Sequence, residues 1–170
     1  LRVRQALDAV SSNVMVADAD LNIIYMNPAV VDMMSRNEQA LRRDLPQFNV
    51  KSLMGTNIDS FHKNPSHQRR LLGELKSTYR GSITIGGRHF DLIANSIIDK
   101  HGVRIGSVVE WADMTEQKLA QQEVEKLIGE ARVGNLSARI DAASMSGFMK
   151  VLGSGINDMM DQVVAPIRAS

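Results

Sequence analysis

The stretch NVMVADADLNIIYMN, residues 13–27, decides the fold of this chain. It holds two short apolar runs on either side of the sequence DAD at 18–20. Aspartates at such a position are typical of a turn, because their side chains accept hydrogen bonds from nearby backbone amides. The stretch therefore predicts a β-hairpin. Asn27 and Pro28 follow at once as a helix N-cap and a proline at the first helical position, so a helix is predicted to begin there.

The segments around this hairpin complete the pattern of a single sheet with a helical crossover. Residues 2–10 predict a short amphipathic helix, and helical or irregular segments are predicted from residue 28 to about residue 75. Three runs farther along alternate apolar and polar residues, which is typical of strands: 77–87, 88–99 and 103–115. The order is two strands, a helical crossover and three strands. We therefore predict an α+β fold with a five-stranded antiparallel sheet, and a small planar ligand would sit between sheet and helices.

Composition excludes several classes of function. The chain has 170 residues with 44% apolar residues, enough for an ordinary domain plus a smaller second unit. Its net charge is +1 from 20 basic and 19 acidic residues, without the basic stripe of a nucleic-acid-binding protein. Cysteine is absent, which excludes disulfides, thiolate metal sites and the cysteinyl adduct of flavin photosensors. No apolar run approaches the ~20 residues of a membrane-spanning helix.

Histidines are the first candidates for a metal ligand. His62 and His67 lie five positions apart in SFHKNPSHQ (60–68), and the chain has two others, His89 and His101. From the residues alone an interpretation without a metal stays open: His62 caps a short helix, and His67 is solvated in the turn after the proline.

Two motifs show a resemblance to the PAS sensor domains. One is VADADLNIIYMNPA, which enters the fold, and the other is EWADMTEQ, in which Asp113 and Thr115 resemble the D-x-T junction between a PAS core and its signalling helix. The resemblance implies a PAS sensor domain over 13–117, preceded by an N-terminal helix over 1–12. It also implies that Asp113 and Thr115 form the signal junction. PAS folds carry haem, flavin, small acids or nothing, so the fold alone does not identify the ligand.

The stretch DSFHKNPSHQ (59–68) resembles the haem-binding PAS domain of Aer-type soluble oxygen receptors, which are methyl-accepting chemotaxis proteins. This resemblance implies haem b as cofactor, His62 as axial ligand of the iron, and Trp111 as a hydrogen-bond donor to bound oxygen. Leu92 is implied as a further cofactor-binding residue. The alternative for Trp111 is plain packing in the core.

Strand periodicity groups these residues by face. Trp111 shares one side of its strand with Val109, and Leu92 shares one side of the preceding strand with Phe90. The sequence leaves open which sides point inward.

Beyond residue 115 the alternation stops and a helical pattern begins. EQKLAQQEVEKLIGEAR predicts one helix, with Val124 and Leu127 in its apolar stripe, and a second helix is predicted from about 148 to 163. Its apolar residues recur at a heptad-like spacing: Leu152, Ile156, Met159 and Val163. Helix, connector and helix resemble the HAMP domain, whose connector is matched here by Gly134, Leu136 and Ile140.

The HAMP resemblance implies that 118–163 forms half of a parallel four-helix bundle in a homodimer, and that 164–170, within VVAPIRAS, begins a further HAMP helix. The alternative is an ordinary helical hairpin.

Together the resemblances imply a haem-based sensor of oxygen or another diatomic gas in a cytoplasmic chemoreceptor-like protein, which passes ligand state from PAS to HAMP. The alternative is a haem-free PAS module for dimerisation or for another small molecule. No catalytic motif emerges, so we predict that the chain is not an enzyme.

Overall fold

The computed structural model describes residues 1–61 and 78–169. The chain divides into two compact units, Leu1–Asp113 and Met114–Ser170. The division falls inside the D-x-T segment, a few residues before the limit of 117 expected for the sensor domain.

The first unit is a five-stranded antiparallel sheet with helices, as the sequence predicted. Its strands are ordered β2-β1-β5-β4-β3, so the first and last strands in the chain are neighbours at the centre. The elements are helix α1 (Arg2–Ala9), strands β1 (Asn13–Asp18) and β2 (Ile23–Met26), helix α2 (Pro28–Leu41), two short 3-10 helices (Val50–Ser52 and Ile58–Phe61), and strands β3 (Tyr79–Ile85), β4 (Arg88–Ile98) and β5 (Arg104–Asp113).

The turn between β1 and β2 is organised by one carboxylate. Asp18 accepts hydrogen bonds from the backbone amides of Asn22 and Asp20, each at 2.9 Å. These bonds, that from Asn22 above all, hold the pKa of Asp18 below its usual 3.8. Within the turn, Leu21 adopts the left-handed conformation with φ 68°, which is rare for a residue with a branched side chain. Its side chain is buried, so packing offsets the backbone strain.

The β3–β4 hairpin lies against the end of helix α2. Gly86 at its tip has φ 58°, and a Cβ added there would lie 1.7 Å from the carbonyl oxygen of Ala40. The amide of Gly86 also donates to the carboxylate of Asp44 at 2.7 Å. Glycine is therefore required both by its backbone conformation and by the close approach of the helix.

Helix α2 covers one face of the sheet and forms the core with it. Val30, Met33 and Met34 are buried on its inward side, which follows the helical spacing of apolar residues. They belong to a cluster with buried residues of the sheet, of the end of α2 and of the loop after it: Met15, Ile23, Met26, Leu41, Phe48, Leu53 and Phe90. The burial of these side chains is the main stabilising contribution to the unit.

Asn27 joins three segments at the start of helix α2. It is 0% exposed, and its Oδ1 accepts from the amides of Val14 and Val30, each at 3.0 Å. Its Nδ2 donates to the carbonyls of Ser12 at 2.7 Å and Leu7 at 3.2 Å. The N-cap of helix α2 is thus also the link between strand β1, helix α1 and the segment after α1.

The second unit consists of helix α3 (Thr115–Arg132), a connector with a short 3-10 helix (Ala142–Ser144), and helix α4 (Gly147–Ala169). Its core contains Ala120, Leu127, Ile140, Met145 and Met160, with Val124, Leu136 and Ile156 packed against them. Helix α4 continues through Pro166 to Ala169. Pro166 thus lies inside the helix, and the expected boundary at 164 does not coincide with a helix break.

The two helices of this unit run parallel. Glu116 in the first turn of α3 accepts from the hydroxyl (2.6 Å) and the amide (2.8 Å) of Ser146, which directly precedes α4. These bonds lower the pKa of Glu116. Farther along, the connector is held by Asn157 of α4, whose side chain accepts from the amide of Ile140 at 2.7 Å and donates to its carbonyl at 2.9 Å.

The next connector residue, Asp141, donates its amide to Glu123 of α3 at 3.4 Å. Both helices therefore advance away from the Glu116–Ser146 end together, which an antiparallel hairpin does not do.

We predict that Asn27→Ala lowers the free energy of unfolding of the first unit by about 3 kcal/mol, because it leaves buried backbone donors and acceptors without partners. Chemical denaturation of the full chain measures this. The matched control is Asn49→Ala, which removes an exposed cap of a 3-10 helix and should cost at most about 1 kcal/mol. Equal losses in both variants would contradict the role given to Asn27.

Candidate functional site

Strand register brings the predicted residues of β4 and β5 onto one face of the sheet. Leu92 lies directly across from Trp111, Phe90 across from Asp113, and Ala94 across from Val109. Phe90 and Ala94 are buried, and Phe90 belongs to the cluster formed with helix α2. The question that periodicity left open is thereby answered: Trp111 and Leu92 are on the inner face.

Trp111 packs on the core with its ring, while its polar atom meets no hydrogen-bond partner in the part of the chain that the structure describes. Its ring lies edge-on to Phe90 at 5.8 Å between centroids and 79° between planes. Its indole Nε1 is buried and has no hydrogen-bond acceptor among residues 1–61 and 78–169. A buried N–H without an acceptor is costly and rare in native proteins, so it points to an acceptor outside residues 1–61 and 78–169.

The backbone of Trp111 is held by Asn13 on the neighbouring strand. The Asn13 side chain donates to the Trp111 carbonyl at 2.9 Å and lies 3.4 Å from the sulfur of Met33 on helix α2. Asn13 is also the register partner of Trp111 across strands β1 and β5. The backbone at Trp111 is therefore linked through Asn13 to helix α2.

Asp113, the predicted junction residue, is bound by two other elements. Its Oδ2 accepts from Arg88 of β4 at 2.8 Å and from the side chain of Asn37 on α2 at 3.1 Å. Asn37 is 7% exposed, and its amide nitrogen also donates to the carbonyl of Met33 at 2.9 Å. Thr115, the other predicted junction residue, is buried and is the first residue of helix α3.

The histidines divide between described and undescribed parts of the chain. His62 and His67, the predicted axial ligand and its competitor, lie outside the described residues. His89 is on β4 at the parity opposite to Leu92, where its Nδ1 is 3.0 Å from the hydroxyl of Thr84. His101 lies exposed in the turn between β4 and β5. Neither His89 nor His101 is therefore on the inner face with Trp111.

Sequence reasoning missed three polar residues of this site: Asn13, Asn37 and Arg88. Arg88 carried no signal, because its pairing with Asp113 depends on strand register rather than on spacing. Asn37 carried a weak sequence signal, because it falls on the same side of the helix as Val30 and Met33, where an amide is unusual. In the part of the chain that the structure describes, no group of three or more acidic or histidine side chains is placed to hold a metal ion.

The site offers a specific chemistry. A mostly apolar inner face with one inward N–H donor suits a flat apolar cofactor or a small ligand with a single acceptor atom. An indole N–H donates and cannot accept, so it favours a partner with negative charge.

Comparisons with known proteins agree with this architecture. A family model described as a PAS domain matches residues 1–65. A solved structure of the Aer2 receptor from Vibrio cholerae, described as a dual PAS-haem oxygen sensor, is 35% identical, with a TM-score of 0.56 over 61% of this chain and 95% of that one. The chain belongs to the PAS domain family.

Other relatives of this PAS protein extend the comparison. The methyl-accepting chemotaxis protein McpB of Pseudomonas aeruginosa is 45% identical over 160 residues, which are 94% of this chain and 24% of the length of that protein. An RNA-binding light-oxygen-voltage receptor shares the fold, with a TM-score of 0.55 at 16% identity over 75% of this chain and 36% of that one.

The chain is thus a PAS sensory module, and it is homologous over 94% of its length to part of a methyl-accepting chemotaxis protein. Of the helices in the described residues, none combines the length and hydropathy needed to cross a membrane.

Proposed function

We propose that this PAS module is a haem-based sensor of oxygen in a cytoplasmic chemoreceptor-like signal transducer. The observation that carries the proposal is the buried Nε1 of Trp111, which has no acceptor within the described residues. Such a donor is explained if a bound ligand supplies the acceptor. The relative described as a PAS-haem oxygen sensor, at 35% identity, supports haem as the cofactor and a gas as the bound ligand.

The residues of the inner face fit this cofactor. Haem b would supply an iron atom that binds a diatomic gas reversibly. Leu92 would contact the cofactor from β4, and Trp111 would donate to the gas from β5. We assign the axial position to His62, because a neutral imidazole is the usual protein ligand of gas-sensing haem.

Oxygen is favoured by the chemistry of the donor. Oxygen bound to ferrous haem carries partial negative charge, which an N–H stabilises, whereas bound carbon monoxide is nearly apolar. Ligand binding can shift the conformational equilibrium only through interactions that differ between the two states, and the Trp111 hydrogen bond is such an interaction.

We further propose that 118–163 is a HAMP-like signalling domain and that 164–170 begins another HAMP helix. The parallel course of α3 and α4 supports this, because a HAMP domain is made of parallel helices. In the proposed homodimer the contacts come from the exposed apolar side of α4. Its residues Leu152, Met159 and Val163 are between 42% and 55% exposed. Ile156, expected in the same seam, packs inside the unit instead.

We predict that haem binding is abolished or strongly weakened in His62→Ala and largely retained in His67→Ala. The measurement is a haemin titration of the full chain, followed by the Soret band and by fluorescence. Trp111 is the only tryptophan, so a haem beside it should quench most of the indole emission. Equal loss of binding in both variants would contradict the assignment of His62. A wild-type chain that binds no haem would instead favour the haem-free module.

We predict that Trp111→Phe keeps the fold and the haem while oxygen affinity falls about ten-fold, because one hydrogen bond to a charged acceptor is lost. Carbon monoxide affinity should change little, and so it serves as the internal control. Both affinities are measured by absorption in the wild-type and variant proteins. An unchanged ratio of the two affinities, with intact haem, would reduce Trp111 to a packing residue.

We predict that Met159→Asp weakens association of the chain by at least about ten-fold, since it places a charge in the apolar dimer contact. Sedimentation velocity over a range of concentrations measures this. The control is Ser154→Asp, an exposed polar position on a different side of α4, which should leave association unchanged. A wild-type chain that stays monomeric would contradict the homodimer.

A further inference from the structure

Helix α2 is connected to strand β5 by two side-chain amides that meet at one residue. Asn13 contacts the sulfur of Met33 and donates to the carbonyl of Trp111. Asn37 donates to the carbonyl of Met33 and to the carboxylate of Asp113. Trp111 and Asp113 are two residues apart on the same side of β5. One turn of α2 is therefore tied both to the sensing residue and to the junction.

The hydrogen bonds of Asn37 are specific. Its amide nitrogen has two hydrogens, and both acceptors lie at hydrogen-bond distance, 2.9 Å to Met33 and 3.1 Å to Asp113. Asparagine is a poor residue for the buried side of a helix, where it lowers helix propensity and must be desolvated. Leucine or methionine would pack there at less cost, so the amide is best explained by its acceptors.

We propose that Asn37 is the positioning residue that couples helix α2 to the D-x-T junction. When the packing beside Trp111 changes, the Met33 turn of α2 shifts, and Asn37 passes this shift to Asp113 and hence to the first turn of α3. The identity of the stimulus, a ligand at the Trp111 indole, rests on the function proposed above. The connection through Asn37 rests on the hydrogen bonds alone.

Helix α2 is placed to respond to a ligand. Met33 is buried in the cluster on which the Trp111 ring packs. An acceptor bound to the indole N–H lies against this cluster, and a close-packed interior transmits small displacements rather than absorbing them. A hydrogen bond weakens steeply beyond about 3.5 Å. A shift of α2 by a fraction of an ångström is therefore enough to weaken the hydrogen bond from Asn37 to Asp113.

The experiment replaces Asn37 by a residue of equal size that cannot donate. Asn37→Asp sets a carboxylate against Asp113, while Gln39→Glu makes the same chemical change at an exposed position two residues along the same helix. The double variant Asn37→Asp with Asp113→Asn restores one donor and one acceptor in exchanged positions. Asn37→Ala removes the donors without adding charge, in case the extra carboxylate prevents folding.

The first measurement uses the full chain without haem. Amide hydrogen exchange of residues 113–118 should be about ten-fold faster in Asn37→Asp and in Asn37→Ala than in wild type. Gln39→Glu should match wild type, and the double variant should recover much of the protection. If Asn37 had only a structural role, swapping the amide and the carboxylate between positions 37 and 113 would not restore the protection. If exchange in Asn37→Asp and Asn37→Ala equals that in Gln39→Glu, the connection does not exist.

The second measurement uses the ferrous chain loaded with haem, with and without oxygen as the probe ligand, because oxygen is the gas that would accept from the Trp111 indole. Wild type and Gln39→Glu should show a ligand-dependent change in exchange at 113–118. Asn37→Asp should keep the Soret band and oxygen binding yet lose most of that change, and the double variant should regain it. A full change in Asn37→Asp overturns the coupling role. A failure of every variant to take up haem overturns the proposed function instead, and the first measurement still decides the connection.

Discussion

The first unit depends on one buried amide, that of Asn27. Its oxygen and nitrogen bind backbone groups of strand β1, of helices α1 and α2 and of the segment after α1, and the side chain is wholly shielded from water. A hydrogen bond made in such surroundings is worth more than one at the surface, and an unmade one costs more. The amide thus fixes where α2 begins relative to the central strands. The position of Met33 and Asn37 over β5 follows from that start.

Much of the fold was predictable because short-range sequence patterns indicate its strands, turns and helix starts. The two strands of residues 13–27, the cap at Asn27 and the glycine turns are short-range signals, and the structure confirms the five-stranded antiparallel sheet. Two local features were not predictable. Leu21 adopts a left-handed conformation although its side chain is buried, and helix α4 continues through Pro166, a residue that ordinarily marks a helix boundary.

The site was predictable in part. Trp111 and Leu92 were indicated by resemblance, and register then showed that they face each other on the inner side. The partners of Asp113 could not be predicted, because Arg88 and Asn37 lie 25 and 76 residues from it in sequence. Such contacts exist only once strand register and helix placement are fixed. The role of His62 stays a prediction, since the residue is outside the described part of the chain.

The connector of the second unit has a mechanical consequence. Glu116 belongs to the first turn of α3, immediately after the D-x-T segment, and it holds the residue before α4 through Ser146. A torque applied at the junction therefore acts on the leading ends of both helices at once. The two helices are loaded in parallel rather than in series, so the second helix does not wait for a distortion to travel the length of the first. The Glu116–Ser146 contact thus joins the starts of the two helices directly, independently of the length of α3.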